Sequence, residues 1–437
     1  MFRPAYRRYV LAVVTAVYML NLVDRLLIVL LLQVIKKDLS LTDTELGFLT
    51  GIAFGLFYAT LGIPIARRAD HGDRVTITSL AIGFWGLAVM ACLFVTGYAQ
   101  LLVARIAAAA GEAGCKPPTY SLVGDYFREP AARTRAMAIY AAGSPLASLL
   151  TFVLGGWLNE LYGWRMTFFL MGIPGLILAM LVKLTVVEPR GQKAGDRDGA
   201  GRPAESMRSV LNTLWAQRSL RHLSIALILL YTMGLGLAPW YGAFLIRSHG
   251  MSTEELGVWL GLIFSVGGIA GILTGGYVVS RWFADNERGQ MRLSAATIAF
   301  LVPCYLAFLT LQQKYQALAA LVPLITVFSV YLGPTYALMQ RLVPDEMRAT
   351  MMAVVMMLAN LIGMGIGPQV VGILSDTFMP FAGSDSLRYA MLSVSFLAFW
   401  AAYHFRQAGL TVKEDLFMSA DRVAQRAPCQ SGARAAE

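Results

Sequence analysis

The sequence predicts an all-α integral membrane protein, with twelve transmembrane helices in two pseudo-symmetric six-helix bundles. Three observations predict it. Of the 437 residues, 57% are hydrophobic and only 14% are charged, whereas a soluble chain carries about 25% charged residues. The apolar residues fall into successive runs of roughly 20, the length an α-helix needs to cross hydrocarbon. Short patterns of the first half also recur, in order, in the second. A soluble enzyme with an unusual core would not space its apolar residues this way.

In chain order the spans are expected near 9–34, 45–66, 75–96, 99–120, 134–158, 165–187, 222–246, 255–279, 291–311, 316–339, 349–375 and 387–406. The connections alternate in charge. Arg3, Arg7 and Arg8 precede the first span, Arg67, Arg68 and Arg74 follow the second, and Arg128, Arg133 and Arg135 follow the fourth. The same side takes Arg281, Arg288 and Arg292, then Arg341 and Arg348, then Arg406, Lys413, Arg422, Arg426 and Arg434 of the tail. The other side has only Lys36, Lys37, Arg165, Arg247, Lys314 and Arg388. The excess of Lys and Arg puts both termini in the cytoplasm of a cell with this protein in its plasma (inner) membrane. The net charge of +10 therefore reads as topology, and no nucleic-acid partner is expected. The first apolar run is too long for a cleaved signal and lacks a small-residue cleavage site.

The expected division is 1–187 for the first bundle, 188–221 for a cytoplasmic linker, 222–406 for the second bundle and 407–437 for a polar, disordered tail. Gly191 to Pro203 is Gly-rich and charged, which suits a flexible linker. Val210, Leu211, Leu214 and Trp215 then recur at helical spacing, as in an amphipathic helix lying on the membrane face.

A shift of 210 residues lays Glu45-Leu46-Gly47 and Gly51 onto Glu255-Leu256-Gly257 and Gly261. Thr42 and Ser252 each stand three residues before the glutamate, the spacing of a capping box at a helix start. Pro118-Thr119-Tyr120 matches Pro334-Thr335-Tyr336, and Arg135-Ala136 matches Arg348-Ala349. Repeated halves of this kind are characteristic of secondary transporters, whose substrate binds between them near the midplane.

Charges inside the spans are costly, about 2.5–3.5 kcal/mol each near the bilayer centre. Five lie well inside: Asp24, Arg25, Arg105, Glu112 and Lys116. Asp24 is about 22 Å along the first span and Glu112 about 20 Å along the fourth. Arg105, Glu112 and Lys116 fall within about 20° of one line on a helix, and Glu112 to Lys116 is the favourable order for an i,i+4 pair. One reading is structural, an ion-pair cluster tying spans one and four. The other is that Asp24 or Glu112 carries a proton, since burial favours the neutral acid and a nearby cation the charged one. Lys183, near a span end, snorkels. With the repeat offsets, Asp24 falls on Gly234 and Glu112 on Phe328, so the second half lacks these charges. Its candidates for a binding wall are Tyr231, Trp240, Tyr241, Phe264, Phe328, Tyr331 and Tyr336, which could equally be lipid-facing or belt residues.

Over nearly its whole length the chain resembles the major facilitator superfamily. Residues 66–74 look like that family's loop motif G-x-x-x-D-R-x-G-R. Asp70 and Arg74 match it, while Ala66, His71 and Asp73 depart from it. Asn21-Leu-Val-Asp24-Arg25, Gly111-Glu112-Ala-Gly114, Gly163-Trp164-Arg165 and the Gly-rich run from Asn360 to Asp376 resemble, more narrowly, the Spinster lysolipid and sphingolipid transporters. That resemblance implies proton coupling through Asp24, Arg25 and Glu112, with Arg105 supporting the first helix. A lopsided cavity follows, with a head group at Arg25 and Lys116 and an acyl chain against the second half.

Gating contacts are expected from Asp70 to the start of span eleven near Arg348, where the helix dipole favours an anion, and from Asp125 to Arg135. Gly143, Pro145, Gly363, Gly367 and Pro368 permit bending and close packing. Gly267, Gly271 and Gly275 form a small-residue ridge. No nucleophile–base set, metal site or phosphate loop is visible, and His71, His222, His249 and His404 are far apart in sequence. Cys92, Cys115, Cys304 and Cys429 show no disulfide or zinc spacing. The chain is thus expected to be no enzyme and to need no metal or other cofactor, with the proton as coupling ion. Its partners are the bilayer and a lipid-like substrate, and it is expected to act as a monomer. A multidrug or organic-anion carrier and a passive channel remain as rivals.

Overall fold

A computed structural model describes residues 2–189, 207–283 and 286–426. The described residues are helical with short connections, and no strand occurs among them. Among the described residues, nine stretches are long and apolar enough to cross a membrane by length and composition alone. Two of them, Pro130–Thr185 and Thr350–Met418, hold two crossings each. The first turns at Gly163, whose φ of 76° is open to glycine but strained for other residues. The second turns at Gly383–Asp385. The crossing outside that group is the fourth, because it is charged and broken in the middle. Together these give twelve.

The first span is α1 (Pro4–Leu39). The second is broken at Gly51 into α2 (Asp43–Thr50) and α3 (Ile52–His71). The third is α4 (Arg74–Met90) with a short 3-10 turn after it. The fourth is α5 (Tyr98–Ala113) followed by α6 (Lys116–Tyr126). Spans five and six share α7 (Pro130–Thr185). Then come α8 (Met207–Ala216), outside the bundle, and α9 (Arg218–His249), the seventh span. Span eight is α10 (Thr253–Leu262), a π-turn at Ile263–Gly267 and α11 (Gly268–Trp282). Span nine is α12 (Glu287–Thr310), and span ten is α13 (Lys314–Val330) with α14 (Leu332–Arg341). Spans eleven and twelve are α15 (Asp345–Ala382) and α16 (Ser386–Ser395) with α17 (Leu397–Arg426).

The repeat in sequence is a repeat in structure. Thr42 forms the full capping box, its Oγ1 accepting from Glu45 N at 3.1 Å and its N–H donating to Glu45 Oε2 at 2.8 Å. Ser252 caps α10 at the matching position, its side chain accepting from Glu255 N at 3.1 Å. The small-residue ridge of span eight lies on span ten: a Cβ at Gly271 would stand 2.1 Å from Thr326 O, and one at Gly275 2.2 Å from Val330 O.

With an even number of crossings, both ends of the chain share one face. At the opposite face the halves meet closely, span two against eleven, span five against eight and span one against seven. Nearer the termini, α6 packs on α1, α3, α4 and α7, whereas α14 packs on α9, α11, α12 and α15. Each therefore stays with its own half. The central space is therefore closed at the far face.

One expectation needs correction here. The tail expected from residue 407 does not leave the fold there, since α17 runs on to Arg426. The cause is a continuing buried stripe, Phe405, Ala408 and Val412, and the buried Asp415, which accepts from Ser219 N at 2.6 Å at the start of α9. The amphipathic segment is present as α8, with Val210 and Leu214 buried and Met207, Leu211 and Trp215 exposed. The Gly-rich segment 191–203 lies outside the described residues, as do 427–437.

Candidate functional site

The charged residues of spans one and four meet as two crossed ion pairs. Asp24 pairs with Arg105, and Arg25 with Glu112. Arg105 and Glu112 stand two turns apart on α5, so one face of that helix presents both to α1. The second pair is anchored by Asn21, whose Nδ2 donates to Glu112 O at 3.1 Å.

Phe54 of span two lies between the guanidinium groups, 4.5 Å from that of Arg25 and 4.9 Å from that of Arg105. Tyr58, one turn on, lies 4.6 Å from that of Arg25. A cation over an aromatic face gains more where water is excluded, so these rings lower the cost of burying two arginines. Arg25 also crosses the central space, and its Nη1 donates to Met364 Sδ of span eleven at 3.4 Å.

The four groups differ in access. The Asp24, Arg105 and Glu112 side chains are 1%, 2% and 1% exposed, and that of Arg25 is 26% exposed. Glu112 Oε2 has no hydrogen-bond partner among the described residues.

Lys116 stands elsewhere than the helical spacing suggests. The fourth span breaks between Ala113 and Lys116, so no i,i+4 pair with Glu112 forms. Lys116 is exposed, with its ammonium 5.6 Å from the Tyr18 ring. Arg25 thus takes the place at Glu112 that the spacing gives to Lys116.

The aromatic residues of the second half divide into core and wall. Trp240, Tyr241 and Tyr331 are buried side chains of the second bundle, neither cavity wall nor lipid-facing belt. Tyr241 bonds Tyr305 at 2.6 Å, and Tyr331 packs edge-on to Phe328 and Phe405. Tyr231, Tyr336, Phe264 and Phe328 are only partly buried. The Tyr231 and Tyr336 hydroxyls bond each other at 2.6 Å beside Met356. Phe264, on the π-turn, reaches Phe152 of span five, with centroids 5.7 Å apart. Sequence reasoning passed over Phe54, Tyr58 and Met364, and gave Asn21 no role beyond its place in a motif. The spacing of Phe54 and Tyr58 by one turn was a readable signal; the approach of Met364 was not.

The gating expectations change in detail. Arg74 is fully buried and gathers Glu188, Asp125 (2.7 Å) and Ser121 (2.7 Å) within the first half. Asp125 therefore pairs with Arg74 rather than with Arg135, which is exposed. Arg348 donates to Gln340 O at 2.6 Å, in its own half. The Asp70 side chain lies outside the described residues, and with it the expected contact to span eleven.

Cys92, Cys115 and Cys304 are buried free thiols. His222 and His404, far apart in sequence, meet with their Nδ1 atoms 2.8 Å apart. A groove of about 530 Å3 between spans three and six, lined by Leu80, Phe84, Leu87 and Met180, is apolar and lies on the outer wall, away from the charge cluster.

The sequence model of the Major Facilitator Superfamily matches residues 14–368. The chain belongs to the major facilitator superfamily. It is a multi-pass membrane transporter, not an enzyme. An MFS-type efflux pump of Mycolicibacterium smegmatis is 32% identical over 378 residues, covering 85% of each chain. Protein spinster homolog 1 of Xenopus laevis is 25% identical over 448 residues, covering 94% of this chain and 82% of that one. Among solved structures, a bacterial homolog of the human lysosomal transporter Spinster, in an inward-facing and unoccupied conformation, superimposes with a TM-score of 0.84 at 27% identity. It covers 95% of this chain and 99% of its own. Within the superfamily the chain therefore resembles the Spinster transporters.

Proposed function

We propose that this protein is a proton-coupled carrier of lysolipid-like amphiphiles working by alternating access, with both termini in the cytoplasm. The observation that carries the reading is the Arg25–Glu112 pair. Arg25 is the partly open member of the cluster, a cation facing the central space. An anionic head group binding there competes with Glu112 for the same guanidinium. Displaced from Arg25, a buried carboxylate cannot stay charged cheaply, and its unpartnered Oε2 is a place for a proton. Head-group binding and proton uptake are then linked through one arginine. The wall opposite supplies Met364, Met356, Tyr231 and Tyr336, which suit an acyl chain because methionine adapts to irregular apolar shapes. Lys116, exposed beside Tyr18, is a second contact for the head group. The protein needs no other cofactor and acts as a monomer in this scheme. The excess of Lys and Arg on the face bearing the termini supports its cytoplasmic placement, in a plasma (inner) membrane.

A second reading, export of drugs or organic anions, is supported by the similar efflux pump and by the hexuronate transporter of Bacillus subtilis, 25% identical over 385 residues. Uptake into proteoliposomes across a panel of lysophospholipids, hexuronate and a cationic dye separates the two. The lysolipid reading expects flux with lysophospholipid and little with the others. Arg25→Ala is expected to abolish binding of the phosphate-headed lipid; unchanged binding would sink the proposal.

A further inference from the structure

The far face is shut by two seams, each made where the start of one helix lies against the end of a span from the opposite half. In the first, Asp376 of α15 accepts from Asp43 N at 3.1 Å, Thr44 N at 2.7 Å and Thr44 Oγ1 at 2.6 Å. In the second, Glu160 of α7 accepts from Thr253 N and Thr253 Oγ1, both at 2.8 Å. Each carboxylate caps the N-terminus of a helix across the interface, α2 or α10, where unpaired N–H groups and the helix dipole favour an anion.

The two seams correspond residue for residue. Asp43 and Thr253 are 210 positions apart; Glu160 and Asp376 are 216 apart. The backbone contacts obey the same two offsets. A Cβ added to Gly156 would stand 2.3 Å from Thr253 O, and one added to Gly372 would stand 2.3 Å from Asp43 O. A Cβ at Gly47 would meet Pro368 O at 2.7 Å, and one at Gly257 would meet Phe152 O at 2.1 Å. Only glycine allows these approaches, and they bring each carboxylate within reach of its helix end.

The seams differ in reinforcement. The first also holds the buried Asp43 carboxylate, which accepts from Lys36, Arg247 and Ser375. Thr253 carries no charge and adds only Asn159, at 2.8 Å.

We propose that Glu160 and Asp376 are a symmetry-paired latch: each half caps the other, and the far face opens only when both caps release together. Two rigid bundles that rock against each other about a hinge lying in the membrane plane between them cannot open either seam while its mate stays closed. The inference goes beyond the transport reading and requires neither a lipid substrate nor a proton.

The test is a pair of spin-label distances across the far face, on a background without native cysteines. Lys37→Cys with Phe381→Cys reports the first seam, and Leu161→Cys with Glu254→Cys the second; all four side chains are exposed. Glu160→Ala is expected to raise the long-distance fraction at both label pairs, and Asp376→Ala to do the same. The rise is roughly tenfold for loss of charge-assisted hydrogen bonds. Glu160→Gln, which keeps an acceptor oxygen, is expected to give a smaller rise at both pairs, a graded response that general loosening would not show. If the alanine variants do not yield folded protein, Glu160→Gln and Asp376→Asn carry the test in the same direction. Lengthening confined to the label pair beside the substituted residue, or no lengthening in any variant, overturns the proposal.

Discussion

Arg25 has three kinds of neighbour: the Glu112 carboxylate, the faces of Phe54 and Tyr58, and the Met364 thioether of the other half. Asp24, one residue earlier, has a different partner and no such access. Charge within an apolar run was enough to single out all four ionisable residues of the cluster from the sequence. Their pairing was not legible, because periodicity along one helix does not say which neighbour faces it. The Glu112–Lys116 expectation failed for a local reason, the break after Ala113. Removing one member of a buried ion pair strands the other in low dielectric, at about 3–5 kcal/mol. Arg105→Ala is therefore expected to lower the stability of the purified protein by that order in thermal unfolding. Asp24→Asn together with Arg105→Ala should recover some of the loss. Equal losses for the single and double variants would mean that Asp24 is not held by Arg105.

At the scale of helices, the spans follow from hydropathy and their starts from the capping residues, which is why the Thr42 and Ser252 ends were readable. Interruptions were harder to see. The break in span four falls at Gly114 and Cys115, just before Pro117 and Pro118 at the start of α6, and the π-turn in span eight ends at Gly267; in both places tertiary packing decides whether the helix is interrupted. Burial of aromatics was also hidden: Trp240, Tyr241 and Tyr331 look like Tyr231 and Tyr336 in sequence, yet the former fill the core of their bundle. Close helix approaches set another limit. A Cβ at Gly111 would stand 2.7 Å from Trp85 N and 2.8 Å from Trp85 Cα, so backbone rather than a movable side chain opposes it. Gly111→Ala is expected to destabilise the protein by about 1–3 kcal/mol, the usual cost of overpacking. Gly234→Ala differs in kind, since its Cβ would meet the Phe328 ring at 2.1 Å. The partly buried ring can move, so a change of a few-fold in apparent substrate affinity is expected, with the melting temperature nearly kept. A fully stable Gly111→Ala protein would contradict the close packing of spans three and four.

For the whole molecule, the two-bundle architecture was legible because the repeat is written in short motifs at nearly constant offset. The closed state of the far face was not, since the sequence is common to every conformation of the cycle. The central claim is that the Arg25–Glu112 pair couples the substrate to a proton. Its most direct measurement is lysophospholipid uptake into proteoliposomes under an imposed pH gradient, with internal pH recorded, for the native protein and for Glu112→Gln. The native protein is expected to move protons with lipid and to respond to the gradient. Glu112→Gln should still bind and exchange lipid but ignore the gradient. Equal gradient dependence in the two proteins would contradict the account.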